Sequence, residues 1–209
     1  MDTHHDPLTQ LLSQPRFDAD LQQAIDAGAG VALALIDIDY FKEINDSYGH
    51  ELGNAVLKQL GNIIAAGNEP HAYRIGGDEF AILMPGSTLE QAFLRMEQLR
   101  VLYHNTSSEA HPQHKHSSVT IGVAHYPRDA KDMASLIAAA SAAQAAAKES
   151  GRNQVSLPPN EEMVMKSCYY SSNAIQKLRA LSKKLNRKES PLLREALDDL
   201  IRKYDAPRA

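Results

Sequence analysis

Two adjacent acids, Asp78 and Glu79, follow a glycine pair in the run Arg74-Ile75-Gly76-Gly77-Asp78-Glu79-Phe80, a turn set between two β-type segments. Upstream, Val31-Ala32-Leu33-Ala34-Leu35-Ile36 is a short apolar run ending in Asp37-Ile38-Asp39, so a buried strand would deliver carboxylates at its C-terminal end. Two acid sites brought together from different segments suit a hard divalent cation, whose remaining ligands come from substrate phosphates. The chemistry this points to is metal-assisted reaction at a phosphate. An exposed acidic turn is the plainer alternative for Asp78 and Glu79.

These residues need elements to position them. Residues 8–27 carry helical spacing through Leu8, Leu11, Leu12, Phe17, Leu21 and Ile25, with Pro15 bending or restarting the segment. Residues 51–66 read as a helix with Leu52, Val56, Leu57, Leu60, Ile63 and Ile64 inward, stopped by Gly67. Residues 71–75 and 80–84 flank the acidic turn as a hairpin. Residues 89–103 are helical by pattern, 104–116 polar and irregular, 118–125 strand-like, and 133–148 an alanine-rich helix ended by Gly151. Val155 begins a last short strand. This order predicts an α/β (α+β) domain in which helices cover a mixed central sheet. Tandem prolines in Leu157-Pro158-Pro159-Asn160-Glu161-Glu162 cannot extend either element, so the chain divides into residues 1–157, a linker over 158–162, and a small unit over 163–209. His111, His114 and His116 have no Cys or acid to complete a metal set and read as a polar loop.

The chain has 209 residues and 43% hydrophobic content, enough for one well-packed core plus an appendage. Its net charge of -4 hides a division. Residues 163–209 hold 11 Lys and Arg against 5 Asp and Glu, a net +6, while residues 1–162 hold 11 against 21, a net -10. A basic tail on an acidic body is a footprint of nucleic-acid or anionic-surface binding, with a solvated helical face as the alternative. The single cysteine, Cys168, excludes an intrachain disulfide and fits a reducing compartment. No run approaches a membrane span and the first residues are unlike a signal peptide, so a soluble cytoplasmic protein with no membrane partner is expected.

Six blocks, in order, resemble the GGDEF family of diguanylate cyclases over roughly residues 6–157. They are Asp6-Pro7-Leu8-Thr9, then Asp37-Ile38-Asp39-Tyr40-Phe41-Lys42-Glu43-Ile44-Asn45-Asp46, Gly49-His50, residues 76–80, Ile121-Gly122-Val123-Ala124, and Lys148-Glu149-Ser150-Gly151-Arg152-Asn153. The resemblance implies a nucleotidyl-cyclase-like sheet with helices on its faces, and condensation of two GTP into cyclic di-GMP and pyrophosphate. It gives Asp37, the backbone carbonyl of Ile38 and Asp78 to Mg²⁺ (or Mn²⁺), and makes Glu79 a further ligand or the general base for the ribose 3′-hydroxyl. Lys42 and the amides of Tyr40 and Phe41 match the family's phosphate-cradling loop, Lys148 and Arg152 its triphosphate positions, and Asn45 and His50 its nucleotide contacts. Arg74 braces the turn or a phosphate.

Each assignment makes physical sense. The hydroxyl must lose a proton to attack an α-phosphate, and a metal held by carboxylates lowers its pKa while screening the developing charge. Four phosphate charges need cations. Lys148 and Arg152, four apart, would share a face on a continuous helix, and a surface basic pair is the alternative for them.

The chain also departs from the family pattern. Asn54 stands where the family usually has an aspartate that accepts from the guanine N1–H and exocyclic amine. A carboxylate offers acceptors alone, whereas an amide offers one acceptor and a donor, which also suits the adenine edge. Relaxed base selectivity, with ATP as a second substrate and cyclic GMP-AMP as a side product, is therefore expected. Gly67-Asn68-Glu69-Pro70 lacks the family's Arg-x-x-Asp, so product feedback there is expected to be absent. Ser141 and Ala145 replace the usual Asp and Tyr, and Gln10-Leu11-Leu12-Ser13-Gln14 lacks the Gly and Asn-Arg of the entry motif.

Residues 163–170 form a short β-like run, Ser171 or Ser172 can cap a helix over 173–185, and Ser190 with Pro191 starts another to Tyr204. So small a unit needs a twin to bury a core. The spacing of Ile175, Leu178, Leu181, Leu185, Leu192, Leu193, Ala196, Leu197 and Leu200 resembles the ribbon-helix-helix family of DNA-binding dimers. That likeness implies a homodimer whose paired strands read double-stranded DNA through Met165, Ser167 and Tyr169, with Lys188 and the amides at Ser190 on a backbone phosphate. Plain dimerisation is the alternative. For the whole chain, a Mg²⁺-dependent diguanylate cyclase on a DNA-associated dimer is the leading expectation. The rival is a transcriptional regulator whose degenerate cyclase domain senses GTP or a cyclic dinucleotide.

Overall fold

The computed structural model describes residues 4–28, 30–67, 71–110, 117–158 and 170–185, together with positions 189, 192–193, 195–197, 200 and 203. The chain falls into two compact units, Met1–Glu161 and Glu162–Ala209.

The first unit is built on one mixed sheet of six strands. They are β1 (Leu12–Ser13), β2 (Val31–Ile38), β3 (Ala72–Arg74), β4 (Glu79–Pro85), β5 (Val119–Tyr126) and β6 (Val155–Ser156), in spatial order β1-β3-β4-β2-β5-β6. β2 lies at the centre, antiparallel to both β4 and β5, while β1–β3 and β5–β6 pair in parallel. The apolar run that forms β2 is buried along both faces, as a central strand covered on both sides must be.

Alternation along β2 sorts the core into two layers. Ala32, Ala34, Ile36 and Ile38 face a cluster containing Val56, Leu57, Leu60 and Ile64 of α3 (His50–Ala66) and Met96, Leu99 and Tyr103 of α4 (Leu89–Ala110). Val31, Leu33 and Leu35 face Phe17 and Leu21 of α1 (Gln14–Asp26) and Leu136 and Ala140 of α5 (Met133–Glu149). A short α2 (Phe41–Tyr48) follows β2 directly.

The seat of α5 on the sheet is specified closely. Its start is a reciprocal capping box in which the Asp132 carboxylate accepts from Ser135 N while Ser135 Oγ accepts from the Asp132 amide. Its contact face is Ala140, Ala143 and Ala147, and Gly122 of β5 lies beneath it. A Cβ on Gly122 would stand 2.0 Å from the Ala140 carbonyl oxygen, so glycine is what lets helix and strand backbones approach. Gln144 Nε2 donates to the carbonyls of Leu35 and Thr120, fixing the helix along its axis.

Several local expectations change. Pro15 neither bends nor interrupts a helix; it sits in the first turn of α1, where its missing N–H costs nothing, and the residues just before it form β1. The segment 41–48 is helical although the sequence pattern did not show it, because its start is a left-handed Tyr40 (φ 58°) without a capping side chain. The helix over 89–103 continues to Ala110. Its polar extension is tied down by hydroxyls: Thr106 Oγ1 donates to Leu102 O, and Ser107 Oγ, fully buried, donates to Ser117 O at 3.0 Å. Residues 111–116, with His111, His114 and His116, lie outside the described residues.

In the second unit, α6 (Ser172–Leu185) starts with Ser171 Oγ accepting from Ala174 N, and helical residues recur at 189, 192–193, 195–197, 200 and 203. Leu181, Leu185, Leu193, Leu197 and Leu200 are exposed in the single chain. Among the described residues no helix is long and apolar enough to cross a membrane.

Candidate active site

Asp37 is the penultimate residue of β2 and stands opposite Glu79 on β4 and Thr120 on β5. Directly opposed residues in antiparallel strands project to the same face, so Asp37 and Glu79 share the face covered by α5. Asp37 is largely buried, and burial is the main force lifting its proton affinity above the ordinary carboxylate range. The Lys148 ammonium, 2.7 Å from Asp37 Oδ2, pulls the other way, but the negative charges of Asp78 and Asp39 add to the rise and the net direction is upward. The chain has thus placed two further carboxylates within electrostatic reach of a buried one. That is a costly arrangement unless a cation stands among them, and Lys148 is that cation here.

Glu79 is exposed, its Oε2 folded back to 2.8 Å from where a Cβ on Gly76 would stand. Among the described residues no three acid, His or Cys side chains stand together as an ion cage, and Asp78 is a charged neighbour of Asp37. The Glu79 carboxylate lies over the glycine turn, and that of Asp37 is drawn to Lys148. One or two carboxylates with a backbone carbonyl, here available from Ile38, still form an all-oxygen donor set that fits Mg²⁺, which ordinarily completes its shell with water and substrate phosphates.

The cations come from the end of α5. The helix stops at Glu149 and the chain turns through Gly151 (φ 116°), Arg152 (φ 61°) and Asn153 (φ 47°). Lys148 and Arg152 therefore do not share a helical face; a left-handed turn separates them. Arg152 instead lies with its guanidinium carbon 4.7 Å from the centre of the Tyr40 ring. Tyr40 immediately precedes α2, whose first amides, at Phe41 and Lys42, are met by no capping side chain. Uncapped helix amides carry positive partial charge, and the guanidinium packed on the preceding residue adds to it at this corner. Lys42 is exposed in the first turn of α2, and His50 is exposed at the start of α3.

Sequence reasoning missed what holds that corner. Asp39, 1% exposed, accepts from Ser118 Oγ and Thr120 Oγ1, each at 2.6 Å, and from the Asn153 amide at 3.1 Å. The Asn153 side chain is gripped from the other side, its Oδ1 accepting from Arg100 Nη1 at 2.9 Å, while Glu97 pairs with Arg100 and accepts from Val155 N. A second brace holds the acidic turn. Arg74 donates to the Gly77 carbonyl from Nε and Nη2 and to both Asp6 oxygens from Nη1 at 3.1 Å, which commits it to the turn. Burial would raise Asp6, but hydrogen bonds from Thr9 and Arg74 outweigh it and hold its carboxyl below the ordinary value.

At the nucleobase end, Asn45 of α2 lies against Gly53 of α3, its Oδ1 2.0 Å from where a Cβ would be. A side chain at 53 would expel it. Asn54, exposed, is the next residue on α3, so the two asparagines expected to contact the base are neighbours across a helix pair. Of the tail's expected DNA contacts, Met165, Ser167, Tyr169, Lys188 and Ser190 all lie outside the described residues, as do Asn68, Glu69 and Pro70 of the feedback segment.

Comparison with known proteins adds an independent line. A family model described as "Diguanylate cyclase, GGDEF domain" matches residues 3–154, and one described as "Ribbon-helix-helix domain" matches residues 168–205. The protein YhcK of Bacillus subtilis (strain 168) is 37% identical over 171 residues, 76% of this chain and 46% of that one. The diguanylate cyclase DgcM of Escherichia coli (strain K12) is 34% identical over 158 residues, 73% of this chain and 38% of DgcM. The chain thus spans less than half the length of these curated relatives. Among solved structures, the coiled coil and GGDEF domain of DgcB from Caulobacter crescentus, in complex with c-di-GMP, superposes with a TM-score of 0.64 at 28% identity. That match covers 74% of this chain and 85% of the other.

Proposed function

Since the chain belongs to the GGDEF diguanylate cyclase family, we propose that it condenses two GTP into cyclic di-GMP and pyrophosphate with Mg²⁺ or Mn²⁺, as a cytoplasmic homodimer associated with DNA. The observation that carries the enzymatic reading is Asp37, held on the central strand with Asp78 close enough to raise its proton affinity and Lys148 on its oxygen. A pure nucleotide sensor has no need of both the acids and the triphosphate cations.

Asp37, Asp78 and the Ile38 carbonyl would hold the metal, which when bound stabilises charge developing on the α-phosphate and makes the attacking 3′-hydroxyl more acidic. The chain's own groups do the rest. Glu79, exposed at the start of β4, takes the proton from that hydroxyl. Lys148, Arg152, Lys42 and the Phe41 amide hold the triphosphate, and Asn45, His50 and Asn54 hold the nucleoside. Each domain binds one GTP, so two must meet face to face.

Incubation of the protein with GTP, ATP and Mg²⁺, with products identified by mass, tests this directly. Cyclic di-GMP and a mixed cyclic GMP-AMP are expected, and in Asn54→Asp the mixed share falls about tenfold, because a buried base edge left facing the wrong partner costs over 1 kcal/mol. If neither dinucleotide forms and GTP stays intact, the enzymatic reading fails and the sensing regulator takes its place. A mixed share unaltered by Asn54→Asp removes the role given to Asn54.

The tail is proposed to pair two chains. Its support is the ribbon-helix-helix match and the leucines of α6 and the residues after it that stay exposed in one chain, an apolar surface that a twin would cover. Pairing raises the effective concentration of one cyclase domain at the other. Removal of residues 158–209 is expected to lower specific activity at dilute protein by about a hundredfold, recovering as the protein is concentrated, and to abolish duplex-DNA binding that in the full chain weakens steeply with salt. Activity per molecule that does not depend on concentration in the shortened protein contradicts the pairing role. Failure of the full chain to bind DNA at low salt leaves dimerisation alone.

A further inference from the structure

The ring of Tyr40 lies against a cation. Tyr40 holds a left-handed conformation (φ 58°) that β-carbon sterics make unfavourable for all but glycine and, to a lesser degree, asparagine and aspartate. Its side chain is about half exposed, so burial does not explain a tyrosine there. Against its face lies the Arg152 guanidinium, 4.7 Å from the ring centre. Arg152 is itself left-handed at φ 61°, and among the described residues no carboxylate or carbonyl accepts from its guanidinium. Its neighbour Lys148 is committed to Asp37 at 2.7 Å.

Contact with an aromatic face holds a guanidinium without using its hydrogen bonds. The attraction engages the π face of the ring, and the N–H donors along the guanidinium edge remain free. A carboxylate partner would hold Arg152 as firmly but would occupy those donors and cancel its charge. We propose that Tyr40 is a positioning residue whose ring holds Arg152 beside the open amides of α2, with its donors turned to a polyphosphate. The inference rests on the reading of this corner as the triphosphate site and adds to it a residue acting through its side chain.

The position lends itself to a clean test. Asn tolerates the left-handed conformation better than Tyr, so Tyr40→Asn removes the ring without straining the turn, and the unfolding midpoint is expected to hold or rise. Titration of the full-length protein with inorganic tripolyphosphate, followed by calorimetry, is expected to show binding weakened about threefold to fivefold in Tyr40→Asn, recovered in Tyr40→Phe, and no further loss when Tyr40→Asn is added to Arg152→Ala. The KM for GTP is expected to rise by the same factor with kcat unchanged, as for an interaction made equally before and during reaction. Undiminished tripolyphosphate binding in Tyr40→Asn, an equal loss in the Arg152→Ala background, or no binding by the parent protein each overturns the inference. Because tripolyphosphate carries no base or ribose, these results are independent of cyclic dinucleotide synthesis: a chain that makes the dinucleotide while Tyr40→Asn binds tripolyphosphate normally keeps its function and loses only the platform.

Discussion

Asp37→Asn is expected to lower cyclic dinucleotide synthesis about a thousandfold, since several kcal/mol of charge stabilisation depend on the cation this carboxylate is proposed to hold, while leaving the fold at least as stable as the parent. The second half of that expectation comes from Asp37's surroundings. Burial, Asp78 and Asp39 together raise its proton affinity despite Lys148. A carboxyl whose folded pKa lies above its unfolded value adds stability below the unfolded pKa, and that contribution is lost as pH rises through the folded value. At neutral pH the ionised Asp37 is therefore a net cost to folding, and a neutral amide of the same shape removes it. The parent and variant unfolding midpoints should converge on acidification, as Asp37 takes up its proton. Activity loss accompanied by a fall in midpoint at pH 7.5 would show instead that the Lys148–Asp37 pair is a structural element first.

Asp39→Ala is expected to do the opposite, destabilising the domain by about 3 kcal/mol. The carboxylate accepts three hydrogen bonds in a site closed to water, and its removal leaves the Ser118 and Thr120 hydroxyls and weakens the hold on the Asn153 amide. Denaturant unfolding measures the loss. Because Asn153 follows Arg152 in a doubly left-handed turn, the variant should also bind GTP more weakly at temperatures where it is fully folded. A midpoint within experimental error of the parent, with tight GTP binding, would show that Ser118, Thr120 and Asn153 find other partners.

The placement of Asp37 at the end of a buried strand and of Asp78 and Glu79 at a glycine turn was legible in the chain, because the effects that set it are local in character. An apolar run makes a buried strand, and a glycine pair between β-type segments makes a turn. The alanine-rich helix announced itself by period and by its Gly151 stop. What was not legible depends on distance or on strain. Asp39 meets partners 79, 81 and 114 residues away, so nothing near it in sequence marks it as the clamp on the Asn153 turn. β1 is two residues long and exists only because β3 lies beside it. α2 begins at a tyrosine in a conformation that sequence rules reserve for glycine and asparagine, so its start carried no signal. The spacing of Lys148 and Arg152 suggested one helical face, and Gly151 instead turns the second cation toward Tyr40.

The central place of β2 also sets how long each half of the site persists. A strand bonded on both sides gives up its amide protons only when the whole domain opens, so the acid borne by β2 keeps its place for as long as the protein is folded. Arg152 rides on a turn that leads to a two-residue edge strand, the kind of segment that opens in far smaller excursions. The Arg152 turn is therefore the part of this corner that can loosen by itself, while Asp37 and its Lys148 partner stay in place.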